Sequence, residues 1–295
     1  MSRTLVRFQH KTAPSIYEAV GQQLHHYRAQ HIGEPLYLDG SGVTFLEADG
    51  VLALLNCARL WHRWTGMPCI LTSLRLPIHQ YLERMDVFSR YATWLSADTV
   101  LDRSDCFDRA DHSRTLLEIT PIASDEFLNA LHVSEVMENA QRILTSWFAA
   151  SPSSVHRLLT VLAALTENII HSEDIGHVII QRYAEGLAGS RVVLSIADLG
   201  IGIQASLQKN GAIARRQLQG GSAYILESLK QGVTSRSVVG GVGLFRVQSI
   251  ITDWQGDMWI RSQLSSVHLS PEGASYRDNL VSFPGTHITI TVRGE

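Results

Sequence analysis

A polar, glycine-punctuated run of about forty residues (199–239) lies between two strongly patterned segments, and it constrains the chain more than any other feature. Unstructured connections that long are rare in a compact domain unless they bind or cover something. On its N-terminal side the β-branched run Arg191–Asp198 reads as a strand that ends at Asp198. On its C-terminal side Leu244, Val247, Ile250 and Ile251 resume helical spacing. The fold must therefore hold a strand end and a helix start on either side of one large loop.

Both flanks carry chemistry. Asp198-Leu-Gly200-Ile-Gly202 follows the strand. The carboxylate can accept a hydrogen bond from an exocyclic amine such as that of adenine, and the glycines let the backbone turn sharply and approach a ligand. Gly240-Gly241-Val-Gly243-Leu244 precedes the helix, where Gly241 and Gly243 would expose amide N–H groups toward a phosphate. Upstream, Val155, Leu158, Leu159, Leu162, Leu165 and Ile169 share one face of a helix over 155–171, which also carries Asn168. An amide oxygen there suits Mg²⁺, which keeps several waters and bridges phosphates. Farther on, Thr286, Ile288, Ile290 and Val292 alternate with His287, Thr289 and Thr291 in a terminal strand.

Taken together, ALTENIIHS, IADLGIGI, GGVGL and FPGTHITITV resemble the motifs of the GHKL ATPase superfamily, over about residues 155–292. The wording GVTSRSVVGGVGLFRV is close to bacterial regulators of the anti-sigma type. The resemblance implies a Bergerat-type α/β sandwich with helices on one face of a mixed sheet and a lid over the nucleotide. It implies ATP and Mg²⁺ as cofactors, with Asn168 as metal ligand and Thr286 on the adenine side. One position departs. Hydrolysing members usually carry a Glu one helical turn before the Asn, and Ala164 stands here. Glu167 is the nearest candidate for the catalytic carboxylate, but successive helix positions are rotated by roughly 100°. Glu173 and Asp174, just after the helix, are the other carboxylates within chain distance. ATP binding is expected, and efficient hydrolysis is not.

Within the lid stretch 204–239 lie Lys209, Arg215, Arg216, Lys230 and Arg236, with glycines at 211, 220, 221 and 232 as hinges. Arg236 is near enough to the glycine cluster to reach a phosphate; the other charges read as solvated. His171 shares the Asn168 face by its three-residue offset and reads as a packing or hydrogen-bonding group. No HExxH or Cys/His spacing occurs, which disfavours a zinc hydrolase.

The first hundred residues alternate helix and strand: a helix through Ile16, Val20 and Leu24, a strand in PLYLDG, a helix from Val51, a strand in MPCILTS and a helix from Pro77. Their order over 14–90 resembles a STAS domain, the α/β module of anti-sigma-factor antagonists. In phosphorylated members a serine is the acceptor at the turn before the second helix; this chain has Ala48 there. Asp49 is either a fixed negative charge near the helix start or a helix cap. The charge-rich stretch 96–114 reads as a linker or a surface loop, so the expected division is 1–100, a STAS-like interaction domain, and 115–295, a GHKL-type domain.

Composition sets the outer limits. Net charge −3 leaves no basic field for nucleic acid. Even LLTVLAAL is too short to span a bilayer, and MSRTLVRFQHKTAPS lacks the apolar core of a signal peptide. Cys57, Cys69 and Cys106 form neither a metal spacing nor an even disulfide framework. The expectation is a cytoplasmic signalling regulator that binds ATP or ADP and contacts an unidentified regulatory protein; a homodimer is left open. The alternative is an anti-sigma-type serine/threonine protein kinase or a slow ATPase.

Overall fold

The computed structural model describes residues 5–8, 12–28, 33–102, 116–122, 126–148, 151–186, 189–209, 213, 218–234 and 242–294. The chain divides into two compact units, Met1–Asp111 and His112–Glu295.

In the first unit strands β1 (Leu5–Arg7), β2 (Leu36–Asp39), β3 (Cys69–Thr72) and β4 (Leu95–Ala97) form a parallel sheet in that order. Each crossover carries helix: α1 (Ala13–Ile16), a π-helical turn and α2 (Gln22–Arg28) in the first, α3 (Ala48–Thr65) in the second, α4 (Leu76–Arg84) and α5 (Val87–Arg90) in the third. Parallel neighbours require such crossovers, which is why strand and helix alternate here. Leu36, Leu38, Cys69 and Leu71 are buried on the sheet, as are Val51, Leu54, Leu55 and Ala58 of α3. Asp49, in the first turn of α3, is buried; its carboxylate accepts from Gly50 N–H at 2.8 Å and from Ala13 N–H at 2.9 Å. One negative charge thus serves the N-termini of two helices. β1 escaped sequence reading because three residues carry no measurable alternation.

The second unit is a seven-stranded sheet, β10-β9-β8-β11-β7-β6-β5, faced by helices. Its strands are β5 (Leu116–Ile122), β6 (Gly176–Ala184), β7 (Ser190–Ala197), β8 (Asp257–Gln263), β9 (Ser265–Ser270), β10 (Gly273–Arg277) and β11 (Phe283–Gly294). All six pairings between them are antiparallel, so the mixed sheet expected from the resemblance is corrected. The cause is connectivity. β6–β7, β8–β9 and β9–β10 follow one another through short turns, and β11 runs between β7 and β8 opposite to both. Across β6, β7, β11 and β8 even-numbered side chains line up, for instance Val178, Ile196, Ile288 and Ile260 in neighbouring registers. They meet α6 (Glu126–Trp147), α7 (Pro152–Ile170) and α10 (Gly243–Asp253) in one core. Each such fully buried aliphatic side chain contributes about 1.5–3 kcal/mol. Among the described residues no helix is long and apolar enough to cross a membrane.

Among its described residues the stretch 199–239, read from the sequence as one long loop, contains helices α8 (Gly202–Gln208) and α9 (Gly221–Ser228). They share a small core of Leu207, Ile213 and Tyr224, with Ile203, Leu218 and Val233 packed against it. These apolar residues are too sparse along the chain to show a period, yet they converge in space.

Candidate functional site

The turn after β7 is built by hydrogen bonds around Asp198. Its backbone N–H donates to Thr286 O at 2.9 Å, which fixes the strand end against β11. Its carboxylate Oδ1 accepts from Gly200 N–H at 2.7 Å, a side-chain-to-backbone turn that orients the acid. Asp198 is 5% exposed. Next to it the β11–β8 register shifts between Phe283 and Thr286, and Gly285 in that irregularity has φ +81°. A Cβ there would lie 2.1 Å from Asp198 O.

A second brace comes from the end of α7. Ser172 O accepts from Ile201 N–H at 3.1 Å, and a Cβ on Gly200 would lie 1.9 Å from that same oxygen. Asp174 Oδ2 accepts from Leu199 N–H at 3.2 Å. Gly200 is therefore a close-packing glycine that faces protein backbone. Asp174 supports the turn, and Glu173 pairs with Lys209; neither acid lines the cavity described next.

That cavity has a volume of about 360 Å³ and lies against α7, β7, β11, the length of α8, the end of α9 and the start of α10. Its lining brings together Glu167, Asn168, Asp198, Gly202, Gly243, Leu244 and Thr286. Between them run aliphatic walls that include Leu165, Ile169, Ile196, Ile203, Leu207 and Ile288. Polar and apolar groups share the lining about equally, and convergent polar groups between aliphatic walls can fix the orientation of a small molecule.

On α7 the lining positions are Leu165, Glu167, Asn168 and Ile169, followed just past its end by His171 and Ser172. At roughly 100° per residue Asn168 falls near the middle of that arc, with Glu167 and His171 on one flank. The cavity wraps around the solvent edge of the helix end, so Glu167 borders it despite its rotation from Asn168. Ala164 packs against the core, and a Cβ on Gly243 would stand 3.9 Å from Ala164 Cβ. Close approach of α10 to α7 thus occupies the side of the helix one turn before Asn168.

Arg236 and Gly241 lie outside the described residues, as do Arg215 and Arg216. Lys230 pairs with Glu227 at 2.7 Å. Sequence reading missed Ser206, Ser228, Val233 and Thr234, which complete the wall on the α8–α9 side. Nothing in their local pattern marks them; the small core between the two helices carries them there. Among the described residues no group of three or more His, Cys, Asp or Glu side chains is placed to hold a metal ion. The sequence matches no protein-family model, and the search of curated proteins found no match.

Proposed function

We propose that the second unit binds an adenine nucleotide with Mg²⁺ in this cavity, and that the chain is a cytoplasmic signalling regulator whose protein contacts follow nucleotide state. The observation that carries this reading is the convergence of Asn168, Asp198, Gly202, Gly243, Leu244 and Thr286 on one cavity from four separate stretches of sequence. The volume lies in the range of small-molecule sites, about 300–1,000 Å³. The buried carboxylate of Asp198, flanked by Ile196 and Ile288, fits the amine edge and faces of a purine. Asn168, exposed near the start of α10, fits a metal that takes most of its ligands from phosphate and water. Magnesium would supply neutralisation of phosphate charge. Asp198 would orient the base, Asn168 would orient the metal, and the N-terminal amides of α10 would face the phosphates. The first unit, with its parallel sheet and an alanine at position 48, is the module proposed to contact a regulatory protein.

Glu167 favours a second reading, an anti-sigma-type protein kinase or a slow ATPase, because it borders the same cavity as Asn168. As a base it would take the proton of an attacking hydroxyl or water.

Thermal unfolding with Mg·ATP or Mg·ADP tests binding. At a hundred times Kd the native state gains about 2.7 kcal/mol, a Tm rise of roughly 5–10 °C for a domain this size. Asp198→Asn should fold normally and lose most of that rise. No shift with either nucleotide at millimolar concentration would overturn the proposal. Incubation with γ-labelled ATP separates the two readings, since label on protein supports the kinase.

A further inference from the structure

We propose that Asp278, in the connection between β10 and β11, is a positioning residue for the cavity: it caps helix α9 from outside and so sets its Ser228–Thr234 wall. The inference rests on the nucleotide reading for its ligand and on separate geometry for its mechanism.

Helix α9 has eight residues, too few to be stable on its own propensity. Its N-cap is Gly220, which has no side chain to offer the first N–H groups. Asp278 supplies what is missing. Its Oδ1 accepts from Ser222 N–H at 2.9 Å and from Ser265 Oγ–H at 2.5 Å, and its Oδ2 accepts from Ser222 Oγ–H at 2.6 Å. Ser265 belongs to β9, so the acid joins the helix start to the sheet. A Cβ on Gly220 would stand 2.8 Å from Asp278 Oδ2, and one on Gly221 2.4 Å from Ser265 Oγ. Glycine at both positions lets the helix start reach the carboxylate. Burial works to raise the acid's pKa, but the hydrogen bonds from Ser222, Ser265 and Gly221 outweigh it and hold the pKa below the usual value. A negative charge there also complements the helix dipole.

The far end of α9 is the part that touches the cavity. Ser228 lines it, followed by Val233 and Thr234, while Ile225 and Leu229 anchor in the main core and Tyr224 in the small one. If the first turn of α9 loosens, the wall keeps its core anchors but loses the fixed start of its helix. The same coupling runs backward, because a ligand that needs the wall in place must hold the helix start together.

Hydrogen exchange and calorimetry on the full chain test this. In Asp278→Ala the amides of Ser222–Tyr224 should exchange between about two- and thirty-fold faster, the range set by losing a helix cap. The Kd for Mg·ATP should rise by a comparable factor. Saturating Mg·ATP should slow exchange at those amides in the wild type, an effect that a cap with no link to the cavity would not produce. Asp278→Asn, whose amide oxygen can still accept from Ser222 N–H, should recover part of both losses together. Should Asp278→Ala fail to fold, Ser222→Ala is read in the same way, with a change of about twofold. Unchanged exchange in the variants overturns the cap. Faster exchange with unchanged Kd, or exchange in the wild type that ignores Mg·ATP, overturns the positioning role. If the wild type binds no nucleotide, the underlying site reading has failed, and the exchange rates alone still decide the cap.

Discussion

Gly285 touches backbone where any side chain would collide. Its φ of +81° disfavours every L-residue, and a Cβ would overlap Asp198 O and the start of Leu199. Gly285→Ala should therefore cost about 2–4 kcal/mol in chemical denaturation and abolish the stabilisation by Mg·ATP. A variant as stable as wild type would mean that the turn holding Asp198 is not fixed from β11. His287, the second residue beyond, illustrates a different constraint. Burial, and then the charge of Arg261, depress its pKa to about 3, and its Nε2 lies 2.7 Å from Ser195 Oγ. The unfolded chain binds that proton near pH 6.5. Between pH 6.5 and 3 the unfolded state therefore holds more protons, and stability is lost as the pH is lowered, by up to ~1.4 kcal/mol per unit. His287→Gln should flatten this slope, most visibly between pH 6.5 and 5, above the range of most carboxylates. An unchanged slope would place the proton uptake elsewhere.

At the scale of elements, the end of α7 decides what chemistry the site can support. Asn168 and Glu167 both border the cavity while Ala164 faces packed protein, so among the described residues Glu167 is the carboxylate left near the proposed phosphate end. Turnover of ATP should be slow, and Glu167→Gln should reduce it about a hundredfold, with Kd for Mg·ATP changed less than threefold. Rapid turnover untouched by that substitution would exclude Glu167 as the base. The glycine motifs were legible because their chemistry is local: a strand end, a turn and a helix start are each written in consecutive residues. Helices α8 and α9 were not legible. Leu207, Ile213 and Tyr224 are separated by polar residues, and only their meeting in space makes a core. β10 was invisible for a related reason, since all five of its residues are exposed and no alternation marks them.

For the whole molecule, the boundary between the units has a functional consequence. Every described residue that lines the cavity lies between 165 and 288, inside His112–Glu295. A fragment spanning 112–295 should bind Mg·ATP with a Kd within about threefold of the full chain. Titration calorimetry on both would measure it; loss of binding in a folded fragment would assign the first unit a part in the site.

The sequence by itself determined the helix bearing Asn168, the Asp198 turn, the glycine-led start of α10 and the alternation of the N-terminal unit. These follow from periodicity and from backbone positions that few residues tolerate. Tertiary structure decided the direction of the sheet, because antiparallel pairing depends on which strands the turns bring side by side. It also decided that Gly200 packs on Ser172, that Glu167 reaches the cavity rim, and that Asp278 serves a helix more than fifty residues away in the chain. Each of those is a contact between segments distant in sequence, and local pattern carries no record of such contacts.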